Sequence, residues 1–230
     1  DFEDYLSDEI DRQHIPAASV LLFRDRTVLY ERYFGQADIE NDIALSANHI
    51  FLLASVSKTI TATALMQLFE AGEFGLDDPI NAHLPFAVEN PNGGAVITFR
   101  HLLTHTSGIP SYTGKPNFVA GAGKDISVQA MVDSFKNDAL EFEPGTAYKY
   151  NNSGYFLLGA IIEKVSGEPY AKYVEKHLFT PLGMKNTAYE GYERSQQARA
   201  AGYSQRTGEF EPSMKISMTQ PYAAGSLTSN

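Results

Sequence analysis

One serine in the chain is followed three positions later by a lysine, and this pair stands directly before a long helical pattern. The pair is Ser55 and Lys58 in the segment ASVSK. From Thr59 to Ala71 apolar residues recur at the spacing of one helix face, and Gly72 is a typical stop signal. The apolar positions of this face are Ile60, Ala64, Leu65, Leu68 and Phe69. We therefore expect a buried helix with Ser55 near its N-terminus, where backbone N–H groups are free and the helix dipole is positive.

Two interpretations of Ser55 follow from this placement. As a helix N-cap, Ser55 would accept a backbone N–H, and Lys58 would be a solvated residue of the first turn. As a nucleophile, Ser55 would need a base, which Lys58 could supply if a poorly solvated pocket lowered its pKa. A lysine in the first turn opposes the helix dipole, which speaks against the cap. The four-residue motif alone leaves both interpretations open.

A second segment, Tyr150-Asn151-Asn152, is the only Tyr-x-Asn sequence in the chain and also precedes an apolar helical pattern. A lysine ammonium beside a tyrosine favours the phenolate, so Tyr150 could share general-base and general-acid duty for a serine. The side chain of Asn152 offers donors and an acceptor for a substrate amide. The structural alternative is that Tyr150, one of 13 tyrosines in the chain, only caps the entrance of a helix.

Together the two segments resemble the serine β-lactamase and penicillin-binding-protein superfamily, specifically its class C-like branch. This branch includes class C β-lactamases, D-alanyl-D-alanine carboxypeptidases, D-aminopeptidases and family VIII carboxylesterases. Three further segments are similar to family sequences, namely 70–79 (EAGEFGLDDP), 97–108 (ITFRHLLTHTSG) and 178–184 (LFTPLGM). The resemblance implies an α+β, β-lactamase-like fold in which a mainly helical region packs on an antiparallel sheet.

The resemblance also implies a serine hydrolase that forms an acyl-enzyme on an amide, lactam or ester, with no cofactor and no metal. It assigns the nucleophile to Ser55, the base role to Lys58 and Tyr150, and substrate orientation to Asn152. The expected partner is a small-molecule, peptide or ester substrate. The alternative is a non-catalytic or inactive fragment with a penicillin-recognising fold, which serves as a binding module.

A third motif that the resemblance leads us to expect is not found. Family members carry Lys/His-Thr/Ser-Gly or a similar sequence on a strand far downstream, which supplies the second oxyanion-hole N–H. The sequence Arg206-Thr207-Gly208 fits superficially, but it follows Tyr150 too soon. It also lies in a polar stretch, 202–210, that predicts two short strands around a turn.

The chain is predicted to form one catalytic domain with three parts. Residues 1–50 would supply the N-terminal helix and β-hairpin of the α/β part, and residues 51–190 the helical part with the motifs. Residues 191–230 would begin an incomplete C-terminal part. Because the hairpin and a few short strands are all of the sheet that the chain holds, we expect a missing C-terminal segment or a strand-exchanged dimer.

The hydrophobic pattern gives the remaining elements. A helix is predicted at 2–13 and a hairpin at 17–34, with Asp25 and Arg26 at its turn. Further helices are predicted at 98–103, 127–138, 153–165 and 170–178. Exposed loops are predicted at 90–94 and 112–124, and the second is placed to border a cleft.

Composition excludes several partners. The net charge of −10 argues against nucleic acid and anionic membranes, both of which need clustered cations. No run of about 18 apolar residues is present, so no membrane span is expected. The absence of cysteine excludes disulfides and thiolate metal sites and fits an oxidising compartment. Residues 1–9 are acidic rather than signal-like, and we expect a periplasmic or secreted protein rather than a cytoplasmic one.

Two histidines, His101 and His105, raise the rival mechanisms of a Ser-His-Asp triad or a zinc site. No His-Glu-x-x-His sequence accompanies them, and no Gly-x-Ser-x-Gly sequence occurs in the chain. We therefore predict that both are structural histidines that hydrogen-bond to the backbone.

Overall fold

The computed structural model of the protein describes residues 1–88, 95–190, 198–206 and 208–230. These residues form two compact units. The first unit consists of the described residues of 1–51, 196–214 and 229–230, and the second of those of 52–195 and 215–228. The loop predicted at 90–94 lies outside the described residues.

The first unit contains the predicted N-terminal helix and hairpin. Helix α1 (Phe2–Arg12) is followed by the antiparallel strands β1 (Ala17–Arg24) and β2 (Thr27–Asp38). Asp25 and Arg26 have φ angles of 49° and 69°. Positive φ at both central residues is what a two-residue hairpin turn requires, because it matches the twist of the strands. The predicted hairpin and its turn are confirmed.

Short strands complete this unit. Strand β3 (Ile43–Ala44) pairs with β2, and β6 (Tyr203–Arg206) pairs with β7 (Glu209–Pro212). The predicted pair of strands around a turn at 202–210 is therefore confirmed. Arg206 ends β6, Gly208 has a φ of 89° in the turn, and Thr207 lies outside the described residues.

The second unit is mainly helical. Its helices are α2 (Ser57–Glu70), α3 (Phe99–Leu103), α4 (Phe118–Gly121), α5 (Val128–Asp133), α6 (Asn152–Ser166) and α7 (Tyr170–Val174). The strands β4 (Phe51–Leu52), β8 (Leu227–Ser229) and β5 (Ala188–Tyr189) form a small sheet in this order. None of the described helices is both long enough and apolar enough to cross a membrane.

Helix α6 is the centre of this unit, and its residues 153–162 are all buried. A Cβ atom added to Gly159 would lie 2.5 Å from the side chains of Tyr222 and Ala223. Only glycine therefore lets the 3-10 turn Tyr222–Ala224 lie this close to the helix. Helix α2 buries Ala64, Leu65 and Leu68 as its pattern predicts.

One predicted helix is shorter than expected. Helix α5 ends at Asp133 instead of 138, because the Oγ of Ser134 donates to the carbonyl of Met131 and Lys115 donates to the carbonyl of Ser134. Isolated turns follow, such as the bond from Phe135 N to Val132 O. The helix predicted at 170–178 is present, and it changes from the α-helix α7 to a wider π-type turn over Glu175–Phe179.

The predicted loop at 112–124 is only partly exposed. It contains the 3-10 turn Tyr112–Gly114 and the short helix α4. Tyr112 is buried in the core of the second unit, and Ala122 is buried as well. As predicted, this segment borders a cavity, which is described below.

Candidate active site

Ser55 lies in a single 3-10 turn, Ala54–Val56, directly before α2. Its Oγ is 2.8 Å from the hydroxyl of Tyr150 and 3.2 Å from Nζ of Lys58, and both of these groups donate to it. No side chain caps the N-terminus of α2, so the N-cap interpretation of Ser55 is wrong. Ala54 has a φ of 46°. Such strained backbone is typical of functional sites.

Lys58 is almost completely buried, with 6% of its surface exposed. Its Nζ donates to the carbonyl of Ala224 at 2.7 Å and lies 5.0 Å from the ring centre of Tyr150 and 5.7 Å from that of Tyr155. Burial lowers the pKa of Lys58, while its hydrogen bond with Tyr150 opposes this shift. Because burial is the larger effect, the neutral amine is more accessible than it is for an exposed lysine.

The two chain neighbours of Tyr150 both make hydrogen bonds to His105. Lys149 N donates to the carbonyl of His105 at 3.0 Å, and Asn151 N donates to Nδ1 of His105 at 3.1 Å. The His105 and Tyr150 rings lie with their centres 4.6 Å apart. Burial and the charge of Lys58 lower the pKa of His105, which favours the neutral ring that can accept this bond.

The prediction of structural histidines is confirmed. His105 accepts a backbone hydrogen bond as described, and Nδ1 of His101 accepts one from Thr98 N at 3.2 Å. No pattern in the sequence indicates that His105 positions Tyr150, because this contact joins segments far apart in the chain. Among the described residues, no group of three histidines or acidic residues could hold a metal ion.

Asn152 is the first residue of α6, and its backbone N–H donates to Oγ of Ser111 at 3.3 Å. Its side-chain Nδ2 donates to Oγ1 of Thr113 at 3.1 Å. Asn152 and Thr113 line two cavities, one of about 230 Å³ that Ser55 also lines and one of about 420 Å³ that Tyr150 also lines. The structure therefore brings all four candidate residues to one place in the second unit.

Thr61 is a site residue that sequence reasoning missed. One turn after Lys58 in α2, its buried Oγ1 lies 2.7 Å from both the carbonyl of Ala223 and the hydroxyl of Tyr170. A threonine hydroxyl has one hydrogen, so it donates to Ala223 and accepts from Tyr170. Thr61 thereby holds the backbone at Ala223. The carbonyl of the next residue, Ala224, accepts the hydrogen bond from Nζ of Lys58.

We expect Thr61→Val to destabilise the protein by about 2–4 kcal/mol, because two buried polar groups, Ala223 O and the Tyr170 hydroxyl, would lose their partner. Urea unfolding measures this free energy. Thr61→Ser is the matched control, since it keeps the hydroxyl and should lose clearly less stability. An equal or larger loss in Thr61→Ser would contradict this expectation, because it would show that the methyl group, which valine retains, contributes at least as much stability as the hydrogen bonds.

The family of the chain follows from comparison with known proteins. A family model described as Beta-lactamase matches residues 2–230. The chain belongs to the Beta-lactamase family. Its described elements agree with the expected α+β fold of this family, and similar solved structures share it.

One relative of this Beta-lactamase family chain is penicillin-binding protein 4* of Bacillus subtilis (strain 168). It is 38% identical over 185 residues, which are 79% of this chain and 40% of that protein. The chain spans about 40% of the length of the curated relatives that it matches first.

Two solved structures are similar along nearly the whole chain. The octameric penicillin-binding protein homologue from Pyrococcus abyssi has a TM-score of 0.85 at 30% identity and covers 99% of this chain and 52% of its own. The D-amino acid amidase from Ochrobactrum anthropi SV3, complexed with L-phenylalanine amide, has a TM-score of 0.80 at 29% identity. It covers 96% of this chain and 64% of its own.

Proposed function

We propose that this Beta-lactamase family chain belongs to a serine hydrolase that acts through an acyl-enzyme on an amide, a lactam or an ester. One observation carries the proposal. The exposed Oγ of Ser55 lies within hydrogen-bond distance of the buried amine of Lys58 and the hydroxyl of Tyr150. A nucleophile in contact with a base of lowered pKa and with a second proton carrier is the arrangement that acyl transfer needs.

The proposed first step is attack of Ser55 Oγ on the substrate carbonyl. The neutral amine of Lys58 takes the proton of Ser55, and the hydroxyl of Tyr150 gives a proton to the leaving group as the bond to the acyl carbon breaks. Lys58 then returns a proton to Tyr150, so that the proton of Ser55 ends on the leaving group. In the second step the same two residues activate water, which hydrolyses the ester at Ser55.

Two further groups have roles in this proposal. The backbone N–H of Ser55 stabilises the negative charge that develops on the carbonyl oxygen. Asn152, which lines the cavity together with Ser55, orients the substrate amide. The name of one similar protein, a D-amino acid amidase, supports action on an amide bond, and that of another, a penicillin-binding protein, supports binding of a lactam.

Covalent labelling across a pH range tests the proposal. We expect a fluorophosphonate to modify Ser55, identified by peptide mass spectrometry, with a rate that rises with pH as Lys58 loses its proton. Because burial lowers the pKa of Lys58, this rise should be complete at a lower pH than the usual titration of a lysine near 10.4. Absence of an adduct at Ser55, or a label on another serine, would overturn the proposal.

A further inference from the structure

The cavity of about 230 Å³ beside Ser55 has an apolar wall that two distant segments build. One side of this wall is Phe118, the first residue of α4, and the other side consists of Ile216 and Met218. None of the described residues that line the cavity is charged. The contacts that hold the two segments together therefore set the width of the cavity.

Helix α4 (Phe118–Gly121) contributes little to its own position. It has four residues, whereas an isolated helix is marginal even at roughly 12 to 15 residues. None of its residues is fully buried. Phe118 packs edge-on against Tyr112 with ring centres 5.7 Å apart, which orients the ring but leaves the backbone of α4 to be held by hydrogen bonds.

One buried side chain, that of Gln220, supplies two of these hydrogen bonds. Its Nε2 donates to the carbonyl of Lys124 at 2.7 Å and to that of Gly121 at 3.2 Å. A side-chain amide has two N–H donors, so one residue can serve both carbonyls. Lys124 N donates to the carbonyl of Gly121 at 3.0 Å and closes the turn that follows α4. Gln220 thus holds both ends of this turn.

Two further hydrogen bonds join the segment 216–220 to the turn after α4. Ser217 N donates to the carbonyl of Ala122 at 2.8 Å. Ile126 N donates to Oγ1 of Thr219 at 3.0 Å. The two sides of the cavity wall are therefore connected along their length, with Gln220 at the end of the connection.

The segment 216–220 is itself fixed to the core of the second unit. The carbonyl of Met218 accepts from the hydroxyl of Tyr189 at 2.8 Å and from Tyr222 N at 3.2 Å. The side chain of Gln220 is almost completely buried, with 6% of the residue exposed. One side of the wall is thus anchored, and Gln220 fastens the α4 side to it.

We infer that Gln220 is a positioning residue that sets the width of the cavity beside Ser55 and thereby the length of the acyl group that is preferred. This inference rests on the proposed function, in which the acyl carbon bonds to Ser55 Oγ. The leaving atom must face the hydroxyl of Tyr150, which lines the other cavity. The acyl substituent then lies in the cavity beside Ser55, where Gln220 acts through Phe118 and Ile216.

Esters that differ in acyl length test the inference. We call kcat/KM for p-nitrophenyl butyrate divided by kcat/KM for p-nitrophenyl acetate the acyl ratio. The longer chain fits, since a cavity of about 150 Å³ holds benzene. In the wild type the acyl ratio should exceed one, because each methylene group that the wall buries gains up to roughly fourfold.

Gln220→Met keeps the length of the side chain and removes both donors. The α4 side of the wall should then move away from the anchored side, and the acyl ratio should fall at least about threefold as contacts with the added methylene groups are lost. A merely structural role of Gln220 would lower the melting temperature and the rates with both esters but would leave the acyl ratio unchanged.

Two other variants complete the experiment. Thr219→Val removes the oxygen that accepts from Ile126 N and keeps the shape of the side chain, so it should lower the acyl ratio as well. It decides the question if Gln220→Met does not fold. Gln67→Met is the matched control in α2, where Nε2 of Gln67 donates to the carbonyl of His177 at 3.3 Å. This variant should keep the wild-type acyl ratio.

A change of leaving group checks which part of the substrate the wall contacts. Phenyl acetate and 2-naphthyl acetate share one acyl group, and the ratio of their kcat/KM values should be the same in the wild type and in Gln220→Met. If this ratio changes while the acyl ratio does not, the cavity beside Ser55 holds the leaving group and the inference is wrong.

The outcomes separate this inference from the proposed function. If Ser55 is labelled and the esters are hydrolysed, an acyl ratio that stays the same or rises in folded Gln220→Met overturns the inference alone. If Gln220→Met does not fold, the same result in Thr219→Val overturns it. If Ser55 is neither labelled nor needed for turnover, the proposed function fails and the inference fails with it.

Discussion

Replacing Ser55 by alanine is expected to abolish hydrolysis of activated esters by the protein, with a loss of turnover of about 10⁴-fold or more. Losses of this size follow removal of the nucleophile from a serine hydrolase. The melting temperature should stay within a few degrees, because Ser55 is exposed and its side chain caps no helix. Initial rates and a thermal melt of the same preparation measure both quantities.

Ser57→Ala is the control for this experiment, two residues along the same segment. The Oγ of Ser57 is buried and accepts a hydrogen bond from Leu227 N at 3.1 Å. Its loss leaves a buried donor without a partner, so this variant should melt at a lower temperature while it retains turnover. A Ser55→Ala protein that keeps its turnover but melts much lower would assign Ser55 a structural role instead.

The sequence was sufficient to predict contacts that depend on local spacing. Ser55 and Lys58 are three positions apart at the start of a helix, so their side chains meet on one face whatever surrounds them. The hairpin at β1 and β2 was equally predictable, because the strand alternation and the turn residues are local. The pairing of Tyr150 with Ser55 has no such local cause, and it was expected only because both segments resemble one family.

Contacts that tertiary packing creates could not be predicted. The acceptor for Lys58 is the backbone carbonyl of Ala224, and any residue type at that position would present the same group. In the sequence Thr61 is only a polar position of α2, because its contacts with Tyr170 and Ala223 join segments that are far apart in the chain. Likewise, α5 ends early partly because Lys115, from another segment, binds the carbonyl of Ser134.

The cavity beside Ser55 shows the same limit. This cavity of about 230 Å³ is lined by Phe118 from α4 and by Ile216 and Met218, which are about a hundred positions later in the chain. Neither segment has a pattern that marks it as a cavity wall.

Replacing Tyr150 by phenylalanine is expected to cost roughly a hundredfold or more in turnover, the usual range for a general acid–base group. The change removes only the hydroxyl that lies 2.8 Å from Ser55 Oγ and leaves the ring beside His105. The binding of Lys149 and Asn151 to His105 uses backbone N–H groups, so the segment should keep its position. Pre-steady-state and steady-state rates with an activated ester measure acylation and deacylation separately.

Tyr148→Phe is the matched control for Tyr150→Phe. Tyr148 lies two residues earlier, is 69% exposed, and places its ring 6.0 Å from that of His105. Because its hydroxyl is outside the contacts of Ser55, its loss should leave both rates unchanged.

If acylation survives in Tyr150→Phe and only deacylation slows, Tyr150 serves the second step alone. Unchanged rates in both steps would remove Tyr150 from the mechanism and leave the buried amine of Lys58 as the only base at Ser55.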